Sequence, residues 1–356
     1  MRFRVLSAAR VGIAFSIVRR TLLRASAARM LLTAVVWLPS AVRPLTSQTR
    51  VLIVSGLGGE SAYSTEFASE AEGLAAALHG RFGVADANIL WFGEDSVNQS
   101  PHFRGQSTKP NVEKAILGLA ARSEPSSQFV LVLIGHGAGE GPETRIDIPG
   151  PDLTATDFAR LLAAFPTQRV AFINLTSASG DMIPTVTGAN RVIITATKTA
   201  FERNESHFGR YFVEALAKDG ADADKDGRVS LLEAFRYAAL ETKRFYDKAS
   251  LMQTEHAQLA DDGAKEGSGS PTGRAGEGAL ARRFSLDGGK ISALAASSDP
   301  RLTALYAEEF TLQEQVGQLI AKKAQMTAEA YDAALEPLLI ALARKAREIR
   351  ALEGRE

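Results

Sequence analysis

Five short runs, each almost unbroken in apolar character, constrain this chain most: Val51 to Ser55, Asn88 to Phe92, Gln128 to Gly135, Arg169 to Asn174 and Arg191 to Ala196. A strand that is apolar on both faces needs cover on both, which is the pattern of a parallel sheet held between helical layers. The covering material lies between the runs. Glu66 to His79, Asn111 to Arg122 and Thr154 to Phe165 carry apolar residues at helical spacing, the last with Thr154 as N-cap before Ala155, Phe158, Leu161 and Leu162. A further helix is expected from Ser206 to Ala217. Strand and helix alternating in this way predict an α/β fold of three layers, α/β/α, with a mostly parallel central sheet.

This domain is expected over residues 49–260. Residues 261–298 are rich in Gly, Ser and Asp, with few large apolar side chains, and are expected to form a linker or long loop with little fixed structure. Asp299-Pro300 then supplies an N-cap and a first-turn proline, and Leu302, Leu305, Phe310, Leu312, Val316, Leu319 and Ile320 follow at helical spacing. A second helix starts near Thr327 with Tyr331, Leu335, Leu338, Leu339, Leu342 and Ile349 as its stripe, and Pro337 is expected to kink it. Residues 299–356 are thus expected to be a helical hairpin, suited to packing on the core or mediating association.

Residues 1–48 read as an export signal. The first 50 residues hold many arginines and no acid, and Arg19-Arg20-Thr21-Leu22-Leu23-Arg24 precedes the apolar stretch Met30 to Val42, which looks like a twin-arginine signal. That stretch is about 13 residues, short of the roughly 20 that span a bilayer, so cleavage is expected over a stable transmembrane anchor. An uncleaved amphipathic anchor, or a shorter signal starting at Met30, are the alternatives. The expected destination is the periplasm or the exterior.

Two counts narrow the chemistry. Lys plus Arg and Asp plus Glu are 41 each, so no chain-wide basic field exists to hold nucleic acid. There is no cysteine, which excludes thiol catalysis, disulfides and thiolate zinc sites.

The sharpest local motif is Asp222-Ala-Asp224-Lys-Asp226-Gly227-Arg228-Val229-Ser230-Leu-Leu-Glu233. It fits the twelve-residue EF-hand loop: carboxylates of Asp222, Asp224 and Asp226 at the first, third and fifth positions, the Arg228 carbonyl at the seventh, Ser230 at the ninth and bidentate Glu233 at the twelfth, with Gly227 at the sharp turn. Four carboxylates converging on one point repel unless a cation sits among them, so Ca²⁺ is the expected cofactor. One loop without a visible second is expected to be structural, fixing the Ser206 helix against Leu231 to Tyr246.

Two strand ends carry small polar residues, where α/β sheets place their chemistry. The run Phe129 to Ile134 leads into Gly135-His136-Gly137-Ala138-Gly139, in which the flanking glycines let a ligand approach an imidazole able to act as acid or base. The run Arg169 to Asn174 leads into Leu175-Thr176-Ser177-Ala178-Ser179-Gly180-Asp181. Gly56-Leu57-Gly58-Gly59 lacks the third glycine of a dinucleotide fingerprint, Ser61 standing there. No Gly-x-Ser-x-Gly elbow is present. His79, His102, His207 and His256 share no metal-ligand spacing.

The paired strand-end motifs resemble those of caspase and legumain-type peptidases, in which one strand ends in His-Gly and the next in Ala-Cys-x-Ser-Gly. In that comparison His136 takes the place of the catalytic histidine, Ser177 that of the nucleophilic cysteine, and Ser179-Gly180 match the trailing pair. Val54 to Glu60, Pro149 to Leu153, His207 to Phe212, Glu233-Ala-Phe235, Thr254-Glu-His256 and Asp261-Asp-Gly263 resemble segments of exported bacterial members, so the resemblance spans roughly residues 50–263. It implies a caspase-like fold.

The departure bears on mechanism. A cysteine beside histidine ionises near neutral pH, whereas a serine hydroxyl needs a base oriented by a third group. An acid such as Asp147, Asp152 or Asp181 is the kind of third group that could orient His136. The expectation is a pseudo-enzyme that binds a peptide or protein, and the alternative is a serine-dependent hydrolase using Ser177 and His136.

Overall fold

The computed structural model describes residues 48–95, 97–223, 228–287 and 326–352, with scattered residues between 301 and 323. Residues 44–356 form one compact unit. The expected export signal, but for Gln48, lies outside the described residues, as do Asp224, Asp226 and residues 288–300.

All five expected strands are present: β1 (Thr49–Ser55), β2 (Ile89–Gly93), β4 (Gln128–Ile134), β8 (Arg169–Asn174) and β9 (Arg191–Thr195). Two short strands extend the same sheet, β3 (Phe103–Gln106) and β10 (Gln258–Asp261). The order is β10-β9-β8-β4-β1-β2-β3, parallel throughout except for β10, which runs antiparallel to β9. From β1 the chain winds outward through β2 and β3, returns to β4 on the other side of β1, and then winds the other way. The order therefore reverses between β1 and β4, and the crevice beyond their C-terminal ends is where such sheets take ligands.

Alternate strand residues serve opposite layers. Val51, Ile53, Val130, Val132 and Ile173 join the core formed with α1 (Ser61–Gly80), α5 (Phe208–Ala217) and α6 (Leu231–Ala249). Leu52, Val54, Leu131, Leu133 and Phe172 face α2 (Lys109–Ala120), α3 (Ala155–Leu162) and the short α4 (Ile183–Val186). Thr154 caps α3 as its position suggests, in a capping box with Asp157. Beyond β4 the chain folds a small antiparallel sheet, β5 (Gly137–Ala138), β6 (Arg145–Ile146) and β7 (Leu153–Thr154), over the C-terminal edge of the main one.

Residues 261–287 form a long loop, as one of the two expected readings has it, but not one with little fixed structure. The segment is irregular, with one short helix, α7 (Ala279–Arg282), yet it is built into the core: Ala281 and Phe284 are fully buried and Leu286 nearly so. Backbone pairing holds it too, through Leu259 with Ser268 and Ser230 with Ser285. A few well-placed apolar residues suffice to dock a chain whose average composition is polar, because burial acts residue by residue.

Helix α8 (Ala328–Leu352) begins at the expected place and contains Pro337. It meets the residues just before it: Lys345 pairs with Glu308 at 2.8 Å and the Lys323 ammonium stands 4.9 Å from the Tyr331 ring. Among the described residues neither core cluster includes α8. No helix among the described residues is long and apolar enough to cross a membrane.

Candidate active site

His136 and Ser177 are brought together by backbone. Gly137, next to the histidine, donates its N–H to Ser177 Oγ at 3.2 Å, and that hydroxyl can donate in turn to the Gly137 carbonyl at 3.4 Å. The approach requires glycine, since a Cβ on Gly137 would fall 2.5 Å from the Ser177 carbonyl oxygen and 2.7 Å from Thr176 Oγ1. Ser177 is only 3 % exposed.

The turn holding Ser177 is fixed on both sides. Asn174 Oδ1 accepts the Thr176 N–H at 3.1 Å and its hydroxyl at 2.8 Å. Ser179 Oγ accepts the N–H groups of Ala196 and Thr197 at 3.1 and 3.3 Å, and Gly180 N–H donates to Thr197 Oγ1 at 3.1 Å. The Ser-Gly pair that trails the motif is thus a clamp onto the chain leaving β9. Between them Ala178 adopts a left-handed φ of 53°, rare for a side chain with a Cβ, and its N–H donates to the Glu202 carbonyl at 2.8 Å.

The imidazole of His136 has a different neighbourhood. Tyr63 and Phe67 of α1 meet it edge-to-face, with ring centroids at 4.9 and 5.1 Å. Among the described residues no hydrogen bond joins the ring to Ser177 or to any of the three acids named above. Asp152 is held by Arg145 Nε at 3.0 Å and the Ile148 N–H at 3.2 Å, and Asp181 accepts from the Gly141 N–H at 3.3 Å. Asp147 is nearest in the chain path, its N–H donating to the His136 carbonyl at 3.1 Å, but its carboxylate faces Arg145 at 3.9 Å. Burial, then the neighbouring Asp152, pushes the Asp147 acid up, while Arg145 and His136 oppose the shift.

A carboxyl group beside this histidine was not legible as part of the site. Tyr63, Phe67 and Glu70 recur along one stripe of α1, and Glu66, Phe67, Glu70, His136, Leu175 and Glu205 line one small recess. Glu70 is partly buried, and burial first, then Glu66, pushes its acid up to about 8 against the pull of Arg210. The signal was present as helical spacing. Nothing in it said which loop that stripe would face.

Of the expected calcium ligands, Asp222, Arg228, Ser230 and Glu233 are described, whereas Asp224 and Asp226 lie outside the described residues. Ser230 and Glu233 form a capping box at the start of α6, and Glu233 Oε1 reaches back to accept the Ala223 N–H at 2.9 Å. The other carboxylate oxygen of Glu233 accepts the Ser230 N–H at 2.9 Å and its hydroxyl at 2.8 Å. The loop exit is braced by the Leu231 N–H on the Phe284 carbonyl at 2.9 Å and by Arg228 against Asp287 at 3.7 Å. An all-oxygen donor set suits a hard cation.

No protein-family model matches the chain, and no curated protein matches it. Among solved structures it is similar to drICE, at 10 % identity and TM-score 0.38, covering 60 % of this chain and 87 % of that one. Similarity to the Drosophila initiator caspase Dronc is 11 % identity and TM-score 0.41, over 64 % of this chain and 87 % of that one. A third, protein GSU0716 from Geobacter sulfurreducens, shares 13 % identity at TM-score 0.37, over 55 % of this chain and 89 % of that one. At these values the α/β assignment stands on the chain's own strand order and layers.

Proposed function

We propose that the chain is an exported caspase/legumain-like protein without peptidase activity, which binds a peptide or protein at the cleft beyond β1, β4 and β8 and carries Ca²⁺ in the 222–233 loop. The observation that carries the first part is the partnering of Ser177. Its buried hydroxyl exchanges hydrogen bonds with the Gly137 backbone, and the imidazole that would have to deprotonate it packs against Tyr63 and Phe67. A serine without a base in hydrogen-bond contact is a poor nucleophile. The sequence motifs at the two strand ends support descent from a caspase/legumain-type ancestor, and the arginine-rich, acid-free first 50 residues support export.

The test is covalent labelling. A fluorophosphonate probe is expected to leave Ser177 unmodified. Stoichiometric labelling there, abolished in His136→Ala, would establish the serine-dependent hydrolase instead.

Calcium is separable from that question. Ca²⁺ binding to the folded protein alone raises its melting temperature by mass action, and a chelator is expected to lower it by several degrees. Asp222→Asn is expected to remove most of the difference, and a melting temperature indifferent to chelator would eliminate the ion. The role proposed for it is structural, holding the end of α5 against the start of α6.

A further inference from the structure

Away from the His136 cleft, a cavity of about 620 Å³ opens between α6, the segment leading into β10 and the loop 267–270. That is the size of a pocket for a small ligand. Which ligand follows from the polar groups on its wall that are still available.

The one acid on the wall, Glu255, is not among them. It is 1 % exposed, and its carboxylate accepts from Ser206 Oγ at 2.6 Å, the His207 and Phe208 N–H groups at 2.8 and 3.1 Å, and the Tyr246 hydroxyl at 3.2 Å. Its charge is spent on the N-terminus of α5. His256 gives one ring nitrogen, Nδ1, to Glu202 at 2.6 Å. Gln253 and Gln258 use their amide N–H groups on backbone carbonyls, at 2.7 Å to Glu255 and 2.9 Å to Ala257, and their amide oxygens accept no hydrogen bond among the described residues.

Two ammonium groups remain. Lys198 stands at the rim with no ion pair among the described residues, and Lys243 pairs at 2.6 Å with Asp247 in a contact more than half exposed on both sides, which water weakens. Thr242 adds a hydroxyl that is 2 % exposed and has no hydrogen-bond partner. A buried unpaired hydroxyl costs roughly 1–3 kcal/mol, so it is an unusual group to retain in a wall without use.

Ammonium donors for an anion, with amide oxygens beside them for N–H groups, match one chemistry. We infer that this cavity binds a short peptide segment through a carboxylate, either a free C-terminus or an acidic side chain. The site is tied to the other one. Glu202, which holds His256 and the Lys198 N–H through its carboxylate, also takes the Ala178 N–H on its carbonyl, directly after Ser177.

Calorimetry on the full chain with three peptides tests this. N-acetyl-Ala-Ala-Ala carries only a C-terminal carboxylate, N-acetyl-Ala-Glu-Ala-amide only a side-chain one, and N-acetyl-Ala-Ala-Ala-amide none. One of the first two is expected to bind and the third not, the binder identifying the source of the carboxylate. The double variant Lys198→Ala/Lys243→Ala is expected to weaken that binding roughly tenfold or more. Thr242→Val is expected to weaken it severalfold with a melting temperature no lower than the parent's. Absence of binding by both acidic peptides, equal binding of the neutral one, or affinity unchanged in the lysine variant would overturn the inference. None of these outcomes depends on whether Ser177 is catalytic.

Discussion

Phe284→Ala is expected to lower folding stability by about 3–5 kcal/mol, the range for removing a buried aromatic ring. The side chain is 0 % exposed and belongs to the core formed with Leu231, Leu232 and Phe235, and the Arg169 guanidinium lies 5.7 Å from its ring. Little nearby is free to fill the space, because the segment before it is short of large apolar residues. Its carbonyl also receives the Leu231 N–H, and Ser285 next to it pairs with Ser230. Through these contacts with the start of α6, the substitution should also weaken ion binding by the proposed calcium loop. Urea denaturation measures the first effect and calcium titration the second. A stability change under about 1 kcal/mol, the size of an ordinary surface substitution, would show that residues 261–287 are peripheral after all.

Glu70→Gln is expected to change the pH dependence of stability more than any other single substitution near the cleft. With its acid raised from 4.5 to about 8, Glu70 keeps its proton in the folded chain over a range where the unfolded chain has lost it. Below about 4.5 both states are protonated and the group contributes no slope. Between there and about 8 the folded state binds more protons than the unfolded one, so stability falls as pH rises, and above that it levels off.

A glutamine has no charge to keep out, so the variant should lose most of this slope. It should be more stable than the parent at pH 8, by an amount on the order of 2 kcal/mol after allowance for the partial exposure of Glu70. Asp147, also raised by burial, leaves a smaller slope of the same sign. Asp157 acts in the opposite direction. Burial works against its charge, but hydrogen bonds from Lys109 and Thr154 outweigh that and hold it near 2, so its window lies below pH 4. Denaturation curves from pH 4.5 to 8.5 decide the matter, and equal slopes in parent and variant would place the dependence elsewhere.

The elements that were legible share a property: their signal is carried within about ten consecutive residues. The five strands, the Thr154 cap and the helix starting at Leu231 are of that kind. The two missed strands of the main sheet are short and mixed, Phe-Arg-Gly-Gln in β3 and Gln-Leu-Ala-Asp in β10, and pair only because a neighbouring strand presents an open edge. The docking of the loop 261–287 into the core was missed for a related reason. Its composition averages to polar while Ala281, Phe284 and Leu286 supply the contacts.

The amino-acid order alone determined the layered α/β class, because strands apolar on both faces have few other ways to be covered. It also excluded thiol chemistry and placed His136 and Ser177 at adjacent strand ends. Tertiary structure decided the rest of the site: that the winding reverses between β1 and β4, that Tyr63, Phe67 and Glu70 are what His136 faces, and that Ser177 bonds to Gly137, 40 residues away. Local pattern reports how deeply a residue is buried and with what period. The choice of hydrogen-bond partner is made between groups far apart in sequence, and it exists only once the chain has closed around them.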